Sequence, residues 1–141
     1  STDFADTDKF LRVIELSSGQ EIEKLLLSEK SSLKGTGPAR MIKVPGKLPL
    51  ILTVNIVSST LWSVSWDYVK ERFVRNRLFD FKKYNAGIPL GVALNHKASQ
   101  LYVTTASNGE MFVFDFTDDP FELKFRKKIV TAPGAKQVVI D

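Results

Sequence analysis

Histidine and cysteine, the side chains most often used as nucleophiles, bases and metal ligands, are scarce in this sequence of 141 residues. The chain contains one histidine, His96, and no cysteine. A cysteine nucleophile, a thiolate metal site and a disulfide are therefore excluded, and one histidine is too few for the common zinc sites. His96 lies in a polar stretch between two apolar runs, so we expect a surface loop residue rather than a general base. The sequence predicts no catalytic residue, no bound metal and no cofactor.

Two short patterns near the start of the sequence could bind ions. Asp3, Asp6 and Asp8 are closely spaced carboxylates, but their spacing does not fit a calcium-binding loop and no bidentate glutamate follows at the required distance. The segment Gly35 to Gly37 is glycine-rich, yet it lacks the Lys-Ser/Thr pair that a phosphate-binding loop needs after its second glycine. We interpret both segments as solvated turns.

Acidic residues recur along the chain, each between two large apolar residues. Glu15, Asp67 and Asp115 are the central residues of the triplets Ile-Glu-Leu, Trp-Asp-Tyr and Phe-Asp-Phe. The triplets are about 50 residues apart, which is a typical period of a repeat protein. A pair of catalytic carboxylates is one reading of Asp67 and Asp115. Repetition favours a structural role, in which each acid accepts hydrogen bonds from turn amides.

The stretch from residue 86 to residue 116 shows the repeating unit most clearly. It contains three short apolar runs separated by turn residues, which predicts a small antiparallel meander. Asn108-Gly109 lies between the second and third runs, and both residues tolerate the positive φ that a tight primed hairpin turn requires. Pro38, Pro89 and Pro133 each precede an apolar run at a similar offset, so we expect the same unit to recur.

This unit resembles one blade of a β-propeller of the WD40 or YVTN type. The resemblance is carried by Pro-x-Gly-Val-Ala from Pro89, by Leu-Tyr-Val-Thr from Leu101 and by the aromatic-Asp-aromatic triplet that ends at Phe116. The Trp-Asp dipeptide occurs once, at Trp66, and the Gly-His pair that often accompanies it is absent. The resemblance implies an all-β fold of antiparallel four-stranded blades in a partial β-propeller, with other β-rich folds as the alternative.

The repeat divides the single domain of residues 1–141 into approximate blades. These are a partial blade at 1–33, two blades at 34–85 and 86–132, and the start of another at 133–141, with a strand expected at Val138 to Ile140. This is about two and three-quarter blades, whereas a complete propeller needs at least four. We therefore expect the remainder of a larger propeller, or further copies of the chain, to close the fold.

Three features of the sequence each have two possible structural interpretations. Residues 68–83 read as an outer strand or as an amphipathic helix, and the repeat favours the strand. Residues 21–27 read as an outer strand or as two helical turns. Trp62 and Trp66 alternate with small polar residues, so their shared face is either core or an exposed binding anchor.

Basic residues cluster on two of the predicted outer strands. The first group is Lys70, Arg72, Arg75 and Arg77, and the second is Lys124, Arg126, Lys127 and Lys128. On successive blades these cations would line the same rim and meet a partner there. The chain has 20 basic and 16 acidic residues and a net charge of +4, which permits an acidic partner. Aromatic residues interleave with the cations, so direct contact with nucleic acid is an alternative. Solubility alone would also favour charged outer strands.

The resemblance implies a non-catalytic scaffold that holds protein partners, as a subunit or segment of a larger complex. Two alternatives stay open: a propeller enzyme or ligand-binding segment of the lactonase or YVTN type, and an RNA-associated scaffold subunit. The longest apolar run, residues 48–57, is too short to span a membrane. The first eight residues are acidic and polar, unlike a signal peptide. We therefore expect a cytoplasmic or nuclear location and no membrane partner.

Overall fold

The structure, a computed structural model, describes residues 10–27, 37–46, 50–97, 99–117, 119 and 122–140. These residues form β-strands and one short 3-10 helix, Phe81–Tyr84. In chain order the strands are β1 (Phe10–Ile14), β2 (Glu21–Leu26), β3 (Pro38–Val44), β4 (Leu50–Asn55), β5 (Thr60–Asp67), β6 (Arg72–Asp80), β7 (Pro89–Asn95), β8 (Gln100–Thr105), β9 (Glu110–Phe116) and β10 (Leu123–Val130). Within the described ranges, no helix has the length and apolar character needed to cross a membrane.

The strands form three antiparallel sheets in which each strand pairs with its neighbours in the sequence. The first sheet is β1-β2, the middle sheet is β3-β4-β5-β6, and the third sheet is β7-β8-β9-β10. The predicted all-β fold is confirmed, and the two four-stranded sheets are compatible with propeller blades. In both of these sheets the last strand along the chain, β6 or β10, lies at an edge.

Both segments with an ambiguous secondary structure form strands. Residues 72–80 pair with β5 from Asp67 opposite Arg72 to Thr60 opposite Asp80, and the chain then turns through the 3-10 helix. Residues 21–26 pair with β1. The helical readings of 68–83 and 21–27 are therefore wrong, because in each case an adjacent strand supplies the backbone hydrogen bonds that a helix would otherwise make internally.

The strand predicted at Val138 to Ile140 is not present. Residues 131–140 carry no strand assignment, although they follow an ordered course across the third sheet. The amide of Gly134 donates to the carbonyl of Ala106 at 3.3 Å. The α-carbon of Gln137 lies 3.0 Å from the position that a β-carbon on Gly91 of β7 would occupy. The tail therefore crosses the face of this sheet at Gly91 and does not extend its hydrogen-bonded ladder.

Four hairpins share one loop geometry, in which four residues connect the paired strand ends and the last of the four has a positive φ. These last residues are Ser59 (φ 55°), Glu71 (φ 48°), Ser99 (φ 50°) and Gly109 (φ 60°). The hairpin predicted at Asn108-Gly109 is therefore present, but the two-residue primed turn is wrong. Thr105 pairs with Glu110, so the loop comprises four residues and only Gly109 among them is left-handed.

The middle sheet is covered on both faces. On one face, Leu52 and Leu61 belong to a core that also contains Leu101 and Phe112 of the third sheet. On the other face, Trp62 and Val64 pack with a second core formed by Leu11, Leu25 and Leu27 at the first sheet. The side chains of β5 alternate between the two cores, as a period of two residues requires.

The two tryptophans lie on the face that packs against the first sheet. Trp62 is only 4% exposed and belongs to the core there, and its indole Nε1 donates to the hydroxyl of Thr60 at 3.0 Å. Trp66 is half-buried, and its ring meets the edge of Phe73 with centroids 4.9 Å apart. The core reading is therefore confirmed for Trp62, and an exposed anchor at this position is wrong.

Phe79 links the middle and third sheets through several aromatic contacts. Its ring centroid lies 4.8 Å from Phe114, 5.1 Å from Phe81 and 5.8 Å from Phe112, all in edge-to-face geometry. Aromatic pairs in this arrangement contribute roughly 0.5–1.5 kcal/mol beyond the burial of their surface. The cluster therefore fixes how the end of β6 sits against the third sheet.

Replacing Phe112 should strongly destabilise the fold. Phe112 is fully buried, so Phe112→Ala leaves a cavity between two sheets and should lower the free energy of unfolding by about 3–5 kcal/mol. Tyr68→Ala is the matched control, because Tyr68 is 61% exposed, and it should change stability by less than about 0.5 kcal/mol. Urea unfolding followed by circular dichroism measures both changes. Similar losses in the two variants would contradict the proposed core.

A methyl group at Gly109 should disrupt the contact between its loop and the C-terminal tail. A β-carbon there would approach the Pro133 nitrogen to 2.7 Å and the Ala132 carbonyl carbon to 2.8 Å, in addition to the left-handed strain of roughly 1–2 kcal/mol. Gly19 also has a positive φ but has no atom within 4 Å of its β-carbon position. Gly109→Ala should therefore lower the melting temperature more than Gly19→Ala. Equal shifts would show that the tail does not pack on this loop.

Candidate interaction surface on the outer strands

The eight cations singled out in the sequence lie on or beside the two edge strands. Lys70 lies in the loop before β6, and Arg72, Arg75 and Arg77 lie in β6. The other four lie in β10 and are Lys124, Arg126, Lys127 and Lys128. All eight residues are exposed. The structure divides them into two groups with different local partners.

Two of the four β10 cations form ion pairs with acids of the adjacent strand. The Arg126 guanidinium lies 3.1 Å from the Asp115 carboxylate, and the Lys128 ammonium lies 2.6 Å from Glu110. The Lys128 ammonium also sits 5.9 Å from the centroid of the Phe112 ring. These contacts tie β10 to β9, so part of its positive charge is compensated within the protein. Surface ion pairs of this kind add little to stability, but they do lower the charge available to a partner.

The β6 cations are arranged around a cleft. Pairing with β5 places Phe73 opposite Trp66, Arg75 opposite Val64 and Arg77 opposite Trp62. Because Trp62 and Val64 lie on the face that packs against the first sheet, Arg75 and Arg77 are on that face as well. The cleft between this face and β2, which we call the β2–β6 cleft, has a volume of about 550 Å³ and is lined by Glu23, Lys24, Leu25, Trp62, Arg72, Phe73, Val74, Arg75, Asn76 and Arg77.

The β2–β6 cleft combines an apolar base with basic walls. Leu25 and Trp62 are each only 4% exposed and provide the apolar surface. Four lining residues are cationic, namely Lys24, Arg72, Arg75 and Arg77. Glu23 is the one carboxylate in the lining of the cleft. The volume falls within the range of roughly 300–1,000 Å³ typical of ligand pockets. The cleft can thus bind an anionic group beside an apolar one.

The repeated acids have different surroundings. Asp67, at the end of β5, accepts hydrogen bonds from the amides of Val69 and Lys70, both at 3.0 Å. The Lys70 amide is the main cause of the lowered pKa of Asp67, and this geometry is the one expected of a turn acid. The carboxylate of Glu15, just after β1, instead accepts from the hydroxyl of Ser18 at 2.5 Å.

Asp115 is held by side chains rather than by turn amides. The Nε2 of Gln100 donates to its carboxylate at 2.9 Å, and Arg126 donates at 3.1 Å. Asp115 precedes the last residue of β9, so it lies across the sheet from Gln100 instead of at a loop. The hydrogen bond from Gln100, followed by that from Arg126, lowers the pKa of Asp115 below its ordinary value of 3.8.

Among the described residues, the remaining candidates from the sequence are not brought together in one site. His96 is exposed, in the loop between β7 and β8. Within the part of the chain that the structure describes, no group of three or more histidine or acidic side chains could hold a metal ion. Asp3, Asp6, Asp8, Gly35 and Thr36 lie outside the described residues.

The contribution of β2 to the cleft did not follow from the inspection of charge clusters. Glu23 and Lys24 lie about 50 residues before Arg75, which is the repeat period. That period was the available signal, since it places the outer strand of one unit beside the outer strand of the next.

A scan of the chain against protein-family models finds no match, and a search of curated proteins finds no similar sequence.

The hydrogen bonds at Asp115 should make the fold sensitive to acid. A carboxyl group with a pKa lowered by folding stabilises the native state above its unfolded pKa, and this contribution is lost as the pH falls through the folded value. The wild type should therefore exceed Asp115→Asn in melting temperature at about pH 7, and the difference should shrink below about pH 4. Thermal melts across this range measure it. A difference that did not change with pH would contradict the lowered pKa.

Proposed function

We propose that this chain is part of a propeller-like scaffold of the WD40 type that binds protein partners, as a segment or subunit of a larger assembly. In this proposal the rest of a propeller, or further copies, completes the ring, and the protein works in the cytoplasm or nucleus. The observation that carries the binding role is the β2–β6 cleft, where basic side chains surround an apolar base at the edge of a sheet. Such a combination suits a partner with acidic and apolar residues.

The packing of the aromatic residues favours a protein partner over a nucleic acid. Single-stranded nucleic acids bind where exposed aromatic rings stack on bases beside cations. Of the aromatic residues within β6 and β10, Phe73 packs on Trp66, while Phe79 and Phe125 contact one another in the aromatic cluster. All three rings are thus engaged within the protein. The arginines offer charge and hydrogen bonds, but no free aromatic ring accompanies them within β6 or β10, and the exposed Tyr68 lies outside these strands, in the loop that carries Lys70.

Affinity capture can test the proposal with the purified chain as bait. We expect cytosolic or nuclear extract to yield protein partners that remain bound after nuclease treatment and at about 0.15 M salt. Arg75→Glu combined with Arg77→Glu should reduce their recovery at least tenfold. Lys124→Glu combined with Lys127→Glu changes the net charge equally on the other edge strand and is the matched control, so it should retain them.

Two results would contradict this proposal. Loss of the bound proteins on nuclease treatment would indicate a nucleic-acid scaffold. Equal loss in both double variants would show that total charge, rather than the β2–β6 cleft, governs recovery. Circular dichroism of each variant confirms that the fold is retained before recoveries are compared.

A further inference from the structure

We propose that a second pocket, between β3, β7 and the C-terminal tail, binds a carboxylate that is attached to a small apolar group. This pocket, which we call the β3–β7 pocket, has a volume of about 230 Å³, and its lining includes Arg40 and Met41 of β3, Leu90 and Val92 of β7, and Lys136 and Val138 of the tail. A short organic acid or the carboxyl end of a polypeptide can supply such a group. The site is separate from the β2–β6 cleft and does not rest on the proposed scaffold function.

The β3–β7 pocket is built from three segments that are distant in the sequence. In the middle and third sheets, β3 and β7 lie at the edges opposite to β6 and β10, and the two strands contact each other. The tail forms the remaining wall where it passes over β7. Gly91 permits this approach, because a β-carbon there would lie 3.0 Å from the α-carbon of Gln137 and 3.1 Å from the carbonyl oxygen of Lys136. The packing of the tail on β7 therefore brings Lys136 to the same pocket as Arg40.

Arg40 and Lys136 supply the positive charge of the pocket. Both residues are exposed, and neither side chain has a hydrogen-bond or ion-pair partner within the described parts of the chain. Among the described residues that line the pocket there is no carboxylate. The two charges are therefore not compensated locally, unlike those of Arg126 and Lys128, which contact acids of β9. An anion that accepts hydrogen bonds from both cations is the ligand class that this pair favours.

Apolar side chains of the pocket determine what accompanies the anion. Leu90, Val92 and Val138 are half-buried, and Met41 is 41% exposed. An apolar group placed against them removes apolar surface from water on both sides of the contact, and the flexible methionine can adapt to its shape. Since each molecule of liquid water occupies about 30 Å³, the pocket has the volume of about seven or eight waters. The apolar group must therefore be small and lie close to the anion.

The donors of the pocket favour a carboxylate over a phosphate. The planar guanidinium of Arg40 presents parallel N–H groups that match the two oxygens of a carboxylate, and Lys136 adds a compact positive charge. Phosphate sites commonly add several converging backbone amides, which satisfy the larger number of phosphate oxygens. Here the amide of Gly91 already donates to the hydroxyl of Thr104 at 3.0 Å. A carboxylate needs fewer donors, so the two cations are sufficient for it.

A titration of the full chain followed by nitrogen–proton NMR tests the site. The probes are butyrate, a peptide of about four residues that ends in valine with a free carboxyl group, and the C-terminal amide of the same peptide. We expect the amide signals of Gly91 and Gln137 to shift saturably with butyrate or with the free-acid peptide, and not with the amide. Arg40→Gln and Lys136→Gln should each raise the dissociation constant at least tenfold, because each removes a charged hydrogen-bond donor. The matched control is Lys43→Gln, which removes an exposed cation of β3 outside the lining and should change the constant by less than about twofold.

The outcomes distinguish the two sources of the carboxylate and the alternatives to it. Saturation by butyrate would support a site for free organic acids, and saturation by the free-acid peptide alone would support a site for polypeptide ends. Equally tight binding of inorganic phosphate would overturn the inference, because charge alone would then explain the affinity. Equal affinity for the peptide amide, an unchanged constant in Arg40→Gln, or no saturation below about 10 mM would overturn it as well. Unshifted signals away from the pocket confirm that each variant retains the fold.

Discussion

A β-sheet has two faces, and each apolar face is stable only when another layer covers it. In this protein the middle sheet satisfies the requirement on both sides, with Leu61 directed into the core shared with the third sheet and Trp62 into the core at the first sheet. Neighbouring residues of one strand thus join two different cores. The stacking of similar sheets is what holds the molecule together, and the cleft is a consequence of it.

Equivalent positions in the two four-stranded units have the same backbone conformation even though their residue types differ. Gly37 has φ 62° and precedes Pro38, and its carbonyl accepts from the amide of Ile56 at 2.7 Å. Ile88 precedes Pro89 and has φ 54°, with its carbonyl 3.0 Å from the amide of Ala106. A β-branched residue rarely adopts this conformation. The equivalent geometry at the two positions shows that the unit imposes the conformation, even where the residue disfavours it.

Most of the strands could be predicted from the sequence because their signals are local, although the strand expected at Val138 to Ile140 is absent. The alternation of Trp62 and Val64 with serines describes one strand by itself, and the hairpin after β8 was visible at Asn108-Gly109. The loop type was not predictable in the same way. Its length depends on which residues pair, and the pairing of Thr105 with Glu110 is a property of the whole sheet. The cleft could not be predicted from local patterns, because it is formed by strands of two different units.

The contrast between β6 and β10 shows how a neighbouring strand determines what a basic strand can do. The two strands have similar composition, but β9 places Glu110 and Asp115 within reach of the β10 cations. β5 has a single acid, Asp67, at its end beside the loop, and presents Val64 and Trp62 to Arg75 and Arg77. A cation opposite an acid is compensated within the sheet, whereas Arg75 lies opposite Val64 and has no acid directly across the strand pair. The acids of the adjacent strand, rather than the number of cations, therefore distinguish a surface that stabilises its own sheet from one that can bind a partner.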